Sequence, residues 1–298
     1  MREINIINPA AGQGDAEKFA ALDTLRKSYK TKFTGDAELL VYDECIKNPH
    51  THFYIYGGDG TVNEAVNGIM SAGAQQSALI SIIPVGTGND LIRNFTGPKS
   101  IETLDVIKYN DRFAINMLNI GFDCEAAKRA GSLKTKPLIS GSLAYLAGVT
   151  GALLGSFGSR LEITLEDQDG EVHTFSGEYL LCAIANCRYY GGGFCAAPAA
   201  DYSDGLLDFV LVDKVSRTTF LKMVSDYKNG RHIDRETGKP AERFSDIMHS
   251  LKGRKISIAG LDSLCADGEV HSADTIEVSV LPQQIRILSG LSPSLSES

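Results

Sequence analysis

At 298 residues, with 43% hydrophobic and 22% charged residues, the chain has the make-up expected of a soluble globular protein of one large domain or two ordinary ones. A formal net charge of −8 argues against general nucleic-acid binding, which calls for a basic surface. The six cysteines, at 45, 124, 182, 187, 195 and 265, lack C-x-x-C spacing and suggest neither a zinc site nor a disulfide framework. The sequence opens directly on a strand with no signal peptide, so a reducing cytoplasm is the expected compartment.

The first strand, Glu3 to Ile7, runs into Asn8-Pro9-Ala10-Ala11-Gly12-Gln13-Gly14 and then an amphipathic pattern that predicts a helix from Asp15 to Tyr29. The apolar run Phe53 to Tyr56 predicts a second strand, followed by Gly57-Gly58-Asp59-Gly60-Thr61 and a helix from Val62 to about Ala72. A third run, Leu79 to Ile83, ends in Pro84-Val85-Gly86-Thr87-Gly88-Asn89-Asp90, with a helix expected from Leu91. Glycines let such loops turn their N–H groups inward, and a helix N-terminus adds a dipole that favours anions. In an open parallel sheet, ligands sit beyond the carboxyl ends of the strands, where these three loops would converge. Phosphate is the ligand this predicts, and Asp59 among the glycines suggests a divalent metal or a transferred proton nearby. The plainer alternative is an ordinary turn, with Thr61-Val62-Asn63-Glu64 as a capping box. Walker A, G-x-G-x-x-G and protein-kinase signatures are all absent.

After about Arg112 the pattern changes to short strands: Phe113 to Met117, Leu161 to Leu165, Tyr179 to Ala185, Leu207 to Val212, Lys255 to Ala259 and Thr275 to Val280. Asp169-Gly170 and Asp267-Gly268 mark turns between them, and helical patterns intervene at 138–157 and about 216–229. Pro137 to Ser159 carries no formal charge and has the length of a membrane span, but polar residues and five glycines dilute it. Gly141, Gly148 and Gly155 give it one smooth face, which predicts a helix packed on the protein; contact with an acyl chain or the bilayer is the alternative. Two basic clusters, Lys128, Arg129, Lys134 and Lys136, and Arg231, Arg235, Lys239 and Arg243, are candidates for attraction to anionic lipid, or else solvated faces. The six histidines are scattered, and His50 and His52, placed before a strand, are read as decorating a loop rather than binding metal.

GGDGTVNEAVNGI and PVGTGNDLIRNF, preceded by NPAAG, resemble the diacylglycerol kinase catalytic-domain family of bacterial lipid kinases, related to sphingosine and ceramide kinases. The resemblance continues through Asn119 to Asp123, Tyr190 to Gly193, Pro198-Ala199, Asp204 to Asp208 and Asp267-Gly268-Glu269, and so spans nearly the whole chain. GGDGT alone is shared with NAD kinases and phosphofructokinases; GGDGTxNE with GTGND is more specific. Ala11 stands where the family commonly has Ser.

The resemblance implies an α/β nucleotide-binding domain over 1–112 with a parallel sheet, joined by a returning C-terminal strand at about 283–290. A mainly β, sandwich-like lipid-substrate domain follows over 113–282, then a loose tail at 291–298. It implies transfer of the ATP γ-phosphoryl group, with Mg²⁺, to a lipid hydroxyl, foremost that of diacylglycerol. Glu269 would be the base, with Asp59 and Asp123 at the reacting centre in the interdomain cleft. Nucleotide contacts would come from Asn8, Pro9, Ala10, Ala11, Gly12, Thr34, Gly58, Asp59, Gly60, Thr61, Val62, Asn63, Glu64 and Thr87. A structural Mg²⁺ would take the Asp204 side chain and the carbonyls of Asp201 and Leu206, or else this is a plain Asp-Gly turn. The expected setting is cytoplasmic and peripheral to a membrane, with no transmembrane span, no nucleic acid and a homodimer as an option. Alternatives are kinases of other lipids (sphingoid, ceramide or phosphatidylglycerol type), an NAD kinase, or a nucleotide-binding protein without kinase activity.

Overall fold

The computed structural model describes residues 1–21, 25–86, 88–134 and 158–290, with side chains described except at 13, 19 and 130–134. The chain forms two compact units, Met1–Leu104 with Gln283–Ser298, and Asp105–Pro282. In the first, β1 (Arg2–Ile7), β2 (Lys27–Lys30), β3 (Thr51–Gly57) and β4 (Leu79–Pro84) alternate with α1 (Asp15–Ala21), α2 (Asp36–Lys47) and α3 (Asp59–Ser71). The strands are parallel, in the order β2-β1-β3-β4. Further along the chain, Ile287 and Leu288 pair in parallel with Ile80 and Ser81 of β4. Ile4, Ile6, Phe53, Ile55 and Ile80 are fully buried, as near-continuous apolar runs become when helices cover a parallel sheet. In α3 every residue from Thr61 to Ile69 is buried, with Val62, Ala65, Val66 and Ile69 as its apolar face.

Several elements of the first unit differ from expectation. Of the predicted helix over 15–29, Asp15–Ala21 is helix, while Lys27–Lys30 is a strand, each residue in register with Ile4 to Ile7. Tyr29 donates its hydroxyl to Glu44 at 2.5 Å. That carboxylate, 1% exposed, also meets Arg2 at 2.7 Å and Lys47 at 3.0 Å, so long-range pairing overrides the local helical period. Beyond Leu91 there is only a 3₁₀ turn, Leu91–Asn94, and then an unanticipated strand β5 (Ile101–Tyr109), which leads from the first unit into the second.

The second unit holds β6 (Arg112–Ala114), β7 (Met117–Gly121), α4 (Phe122–Lys134), β8 (Ser159–Asp167), β9 (Val172–Ala185), β10 (Tyr189–Tyr190), β11 (Phe194–Cys195), β12 (Leu207–Asp213), α5 (Arg217–Lys228), β13 (Met248–Ala259), β14 (Ser263–Ala266), β15 (Glu269–Ser272) and most of β16 (Thr275–Leu288). Its pairings are antiparallel. The long strand β9 pairs with β8 over its first half and with β12 and β7 over its second. Likewise β13 pairs with β12 before Gly253 and with β8 and β16 after Lys255, the register shifting between. Two layers therefore share their longest strands, and Leu161, Ile163, Leu207, Phe209, Ile256 and Ile258 fill the space between as one apolar core. A second core carries Phe122 of α4 and Phe220, Met223 and Tyr227 of α5 against Met117, Ala183 and Val210.

An α/β unit with a parallel sheet followed by a sandwich-like β unit is the fold class read from the sequence. The strand expected over Phe113 to Met117 is broken at Ile115-Asn116 into β6 and β7, for a reason that lies in the site. Among the described residues no helix is long and apolar enough to cross a membrane. The segment 137–157, the tail 291–298 and Thr87 lie outside the described residues.

Candidate active site

Three loops of the first unit are bound to one another. Asn8, past the end of β1, accepts the Ala10 N–H on Oδ1 at 3.0 Å and donates through Nδ2 to Thr61 Oγ1 at 2.9 Å. Its own N–H reaches the Tyr56 carbonyl. Pro9 and Ala10 then lead into the 3₁₀ turn Ala11–Gly14. Gly58 and Gly86 bring the second and third loops together backbone to backbone; a Cβ on Gly86 would stand 2.5 Å from the Gly58 Cα. Only glycine permits that approach.

Asp59 then ties the same two loops by charge. Its Oδ2 accepts the Asp90 N–H at 3.0 Å and its Oδ1 the Leu91 N–H at 3.1 Å, so its carboxylate caps the 3₁₀ turn. The N-cap of α3, Gly58, has no side chain to satisfy the first-turn N–H groups of Asp59, Gly60 and Thr61. Those donors and the helix dipole suit a phosphate. A divalent cation fits as well: a Cβ on Gly88 would stand 3.0 Å from Asp59 Oδ2 and 3.6 Å from Asp90 Oδ2. Two hard carboxylate oxygens thus flank a space that glycine leaves open, the donor type Mg²⁺ takes. The sequence offers Asp90 as an acid at the end of the third loop, and the structure adds that its Oδ2 shares the space beside Gly88 with Asp59.

The rest of the α3 motif turns to structure. Val62, Asn63 and Glu64 are buried. Asn67 donates to Asn63, and Glu64 accepts the N–H groups of Gly35 at 2.8 Å and Ala37 at 3.1 Å. Glu64 therefore caps the start of α2 rather than its own helix, and the Thr61–Glu64 capping box is not formed. Thr34 is exposed, one residue before the α2 N-cap that Glu64 secures.

In the second unit Asp123 occupies the first turn of α4, 4% exposed. Tyr227 of α5 donates its hydroxyl to Asp123 Oδ2 at 3.0 Å. Burial pushes the carboxyl up to about 6, against the hydrogen bonds from the Tyr190 and Tyr227 hydroxyls. Asp267, in the tight turn before β15, accepts three backbone N–H groups: Ile115 at 2.7 Å on Oδ2, and Asn116 at 3.0 Å and Met117 at 2.9 Å on Oδ1. This carboxylate gathers the backbone where β6 gives way to β7. Charge-assisted bonds of this kind contribute about 1.5–3 kcal/mol each at most. Asp267→Ala is expected to cost roughly 3 kcal/mol or more, since three buried donors lose their acceptor; a shift of the urea midpoint at unchanged slope would show it, and an unmoved midpoint would refute the anchoring role.

Glu269 opens β15, half-buried, across the hairpin from Ala266. His271 lies two residues on, on the same face of the strand. The Tyr109 and His271 rings are 6.2 Å apart. Burial pushes Tyr109 up to about 12, with the charges of Asp267 and Glu269 adding to it and the Arg112 guanidinium opposing. His271 is held below its ordinary value by burial and by Arg112. Tyr109 thus lies within reach of the Glu269 charge and links it to Arg112 and His271, and of these only His271 could have been found from sequence, by its two-residue spacing.

In the turn at 201–206, Asp201 Oδ1 accepts the N–H and hydroxyl of Ser203. Asp204 accepts the Leu206 N–H on Oδ1 at 3.0 Å and the Lys252 ammonium on Oδ2 at 2.6 Å. This arrangement does not match a Mg²⁺ on the Asp204 carboxylate, because a cationic side chain already stands on its free oxygen.

Comparison with known proteins brings two family models onto the chain: the diacylglycerol kinase catalytic domain over residues 4–120 and the YegS C-terminal NAD kinase beta sandwich-like domain over residues 116–289. A "Putative lipid kinase" from Staphylococcus aureus (strain JH9) is 27% identical, covering 93% of this chain and 91% of the relative. A crystal structure of a diacylglycerol kinase from Bacillus anthracis str. Sterne superposes with a TM-score of 0.69 at 24% identity, over 99% of this chain and 98% of that one, and shows the fold.

Proposed function

The chain belongs to the diacylglycerol kinase catalytic-domain family with the YegS-type C-terminal domain, and on that premise we propose that it transfers the γ-phosphoryl group of ATP to a lipid hydroxyl, foremost that of diacylglycerol, giving phosphatidic acid. The observation that carries this reading is the junction of three glycine loops in the first unit, locked by Asn8–Thr61 and by Asp59 on the Asp90 and Leu91 N–H groups.

In this reading the loops at Asn8 to Gly12 and Gly58 to Thr61 receive the nucleotide phosphates, their N–H groups and the α3 dipole meeting the negative charge. Asp59 and Asp90 would hold a Mg²⁺, which when bound neutralises charge on the phosphates. Asp59 also keeps the third loop in place against the second. The acceptor oxygen attacks the γ-phosphorus, the bond from that phosphorus to the β,γ-bridging oxygen breaks, and the hydroxyl proton passes to the Glu269 carboxylate. Asp123, fixed by its tyrosine partners, shapes the acceptor's surroundings in the second unit. Phosphorylation of diacylglycerol, sphingosine, ceramide and phosphatidylglycerol in separate mixed micelles tests the substrate: the expected order places diacylglycerol first, and a faster rate on any of the others overturns that choice.

A lipid acceptor would bring the reaction to a membrane surface, and the cytoplasmic setting is the expectation drawn from the sequence. Arg231 and Arg243 both pair with Asp226, at 2.9 and 3.1 Å, which leaves their cluster only partly uncompensated. Lys128 is exposed, and Arg129 pairs with Glu125 at 2.7 Å. Attraction to anionic vesicles should therefore be modest and fall with added salt, each exposed cation being worth about 1 kcal/mol near such a surface. Rates on vesicles that stay constant from low to high ionic strength would refute it.

A further inference from the structure

The turn at 201–206 is the place where the family resemblance calls for a structural Mg²⁺, and the protein fills that role with its own groups. Lys252 of β13 stands directly across the ladder from Asp208 of β12. Its ammonium lies 2.6 Å from Asp204 Oδ2 and 3.4 Å from Asp208 Oδ2, and so bridges two carboxylates. Asp208 is 5% exposed and needs a compensating charge at that depth. The other oxygen of Asp204 takes the Leu206 N–H.

The backbone of the turn is held independently. Asp105, fully buried, accepts the Gly205 N–H on Oδ2 at 2.6 Å, and its own N–H donates to the Tyr202 carbonyl at 2.7 Å. Asp105 thus clamps the turn at Tyr202 and Gly205, and Asp204 closes it on the Leu206 N–H. Mg²⁺ demands near-octahedral oxygens at about 2.0–2.1 Å and parts with water reluctantly. An ammonium seated on the carboxylate oxygen it would need competes with it both sterically and by charge.

We propose that Lys252 is the resident cation of this turn, binding Asp204 to Asp208, and that the chain folds here without a divalent ion. Removal of the ammonium then leaves two uncompensated carboxylates beside each other, and a divalent ion becomes the natural replacement. The proposal is independent of any ion at Asp59 and Asp90.

The test uses nucleotide-free full-length protein, with Mn²⁺ binding followed by electron paramagnetic resonance and thermal melting in EDTA or millimolar Mg²⁺. Wild type and Asp204→Asn are expected to bind the same number of Mn²⁺ ions, and any rise in wild-type melting temperature with Mg²⁺ should survive Asp204→Asn. Lys252→Met should melt lower than wild type in EDTA, recover with Mg²⁺, and gain one Mn²⁺ site that Asp204→Asn in the same chain removes. One more Mn²⁺ on wild type than on Asp204→Asn, or a Mg²⁺-dependent rise that Asp204→Asn abolishes, overturns the proposal. Should Lys252→Met not fold, the comparison of wild type with Asp204→Asn decides alone.

Discussion

Asp59→Ala is expected to abolish measurable phosphoryl transfer, a fall of about 10²–10³-fold or more, the scale of losing a preorganised electrostatic group at a reacting centre. Two effects add. The variant loses a carboxylate oxygen beside Gly88 where a cation would be held. It also frees the Asp90 and Leu91 N–H groups, so the third loop loses its tie to the second. That second effect should cost about 1–3 kcal/mol locally, seen as faster hydrogen exchange at residues 88–94 while far-ultraviolet circular dichroism stays that of the wild type. Asp59→Asn, which keeps one of the two acceptor oxygens, should restore part of the exchange protection and little of the rate. Near-wild-type turnover in Asp59→Ala would remove the first unit's loops from the reaction.

Glu269→Gln should lower turnover by about 10²–10⁴-fold, the usual contribution of a positioned base. The lower end is expected where the transition state is loose and the proton moves late. Glutamine keeps the size and hydrogen-bonding reach of the side chain, so the hairpin anchored by Asp267 remains intact. The dissociation constant for ATP should stay unchanged, because the phosphate loops belong to the other unit. A loss of ATP binding in proportion to the loss of rate would make Glu269 structural. Unaltered turnover would make it a turn acid facing water.

How far the sequence could be read depends on the range of the interactions involved. In the first unit β1, β3 and β4, the loops that follow them and α3 announce themselves locally, through an apolar run, glycines and a 3.6-residue period, and the change to short strands after Arg112 is equally local. That is why the fold class was legible. Lys27–Lys30 was read as helix because its pairing with β1 and the Tyr29–Glu44 bond join residues far apart in the chain. Glu64 illustrates the same limit at the site: a Thr-x-x-Glu pattern reads as a capping box, yet its carboxylate crosses to Gly35 and Ala37. Asp267 looks like one half of an Asp-Gly turn, while its three N–H partners lie about 150 residues earlier. Tyr227 on Asp123 and Lys252 on Asp204 leave no local pattern at all.

The central claim is that this protein moves the terminal phosphoryl group of ATP onto a lipid. It is tested most directly by incubating it with Mg²⁺, diacylglycerol micelles and ATP labelled on either the γ- or the α-phosphorus, then counting label in the organic extract. The expected result is organic-phase label from γ-labelled ATP alone, migrating as phosphatidic acid and absent with Asp59→Ala. No label in the organic phase with any lipid acceptor, or label found instead in water-soluble NADP when NAD is supplied, would contradict it.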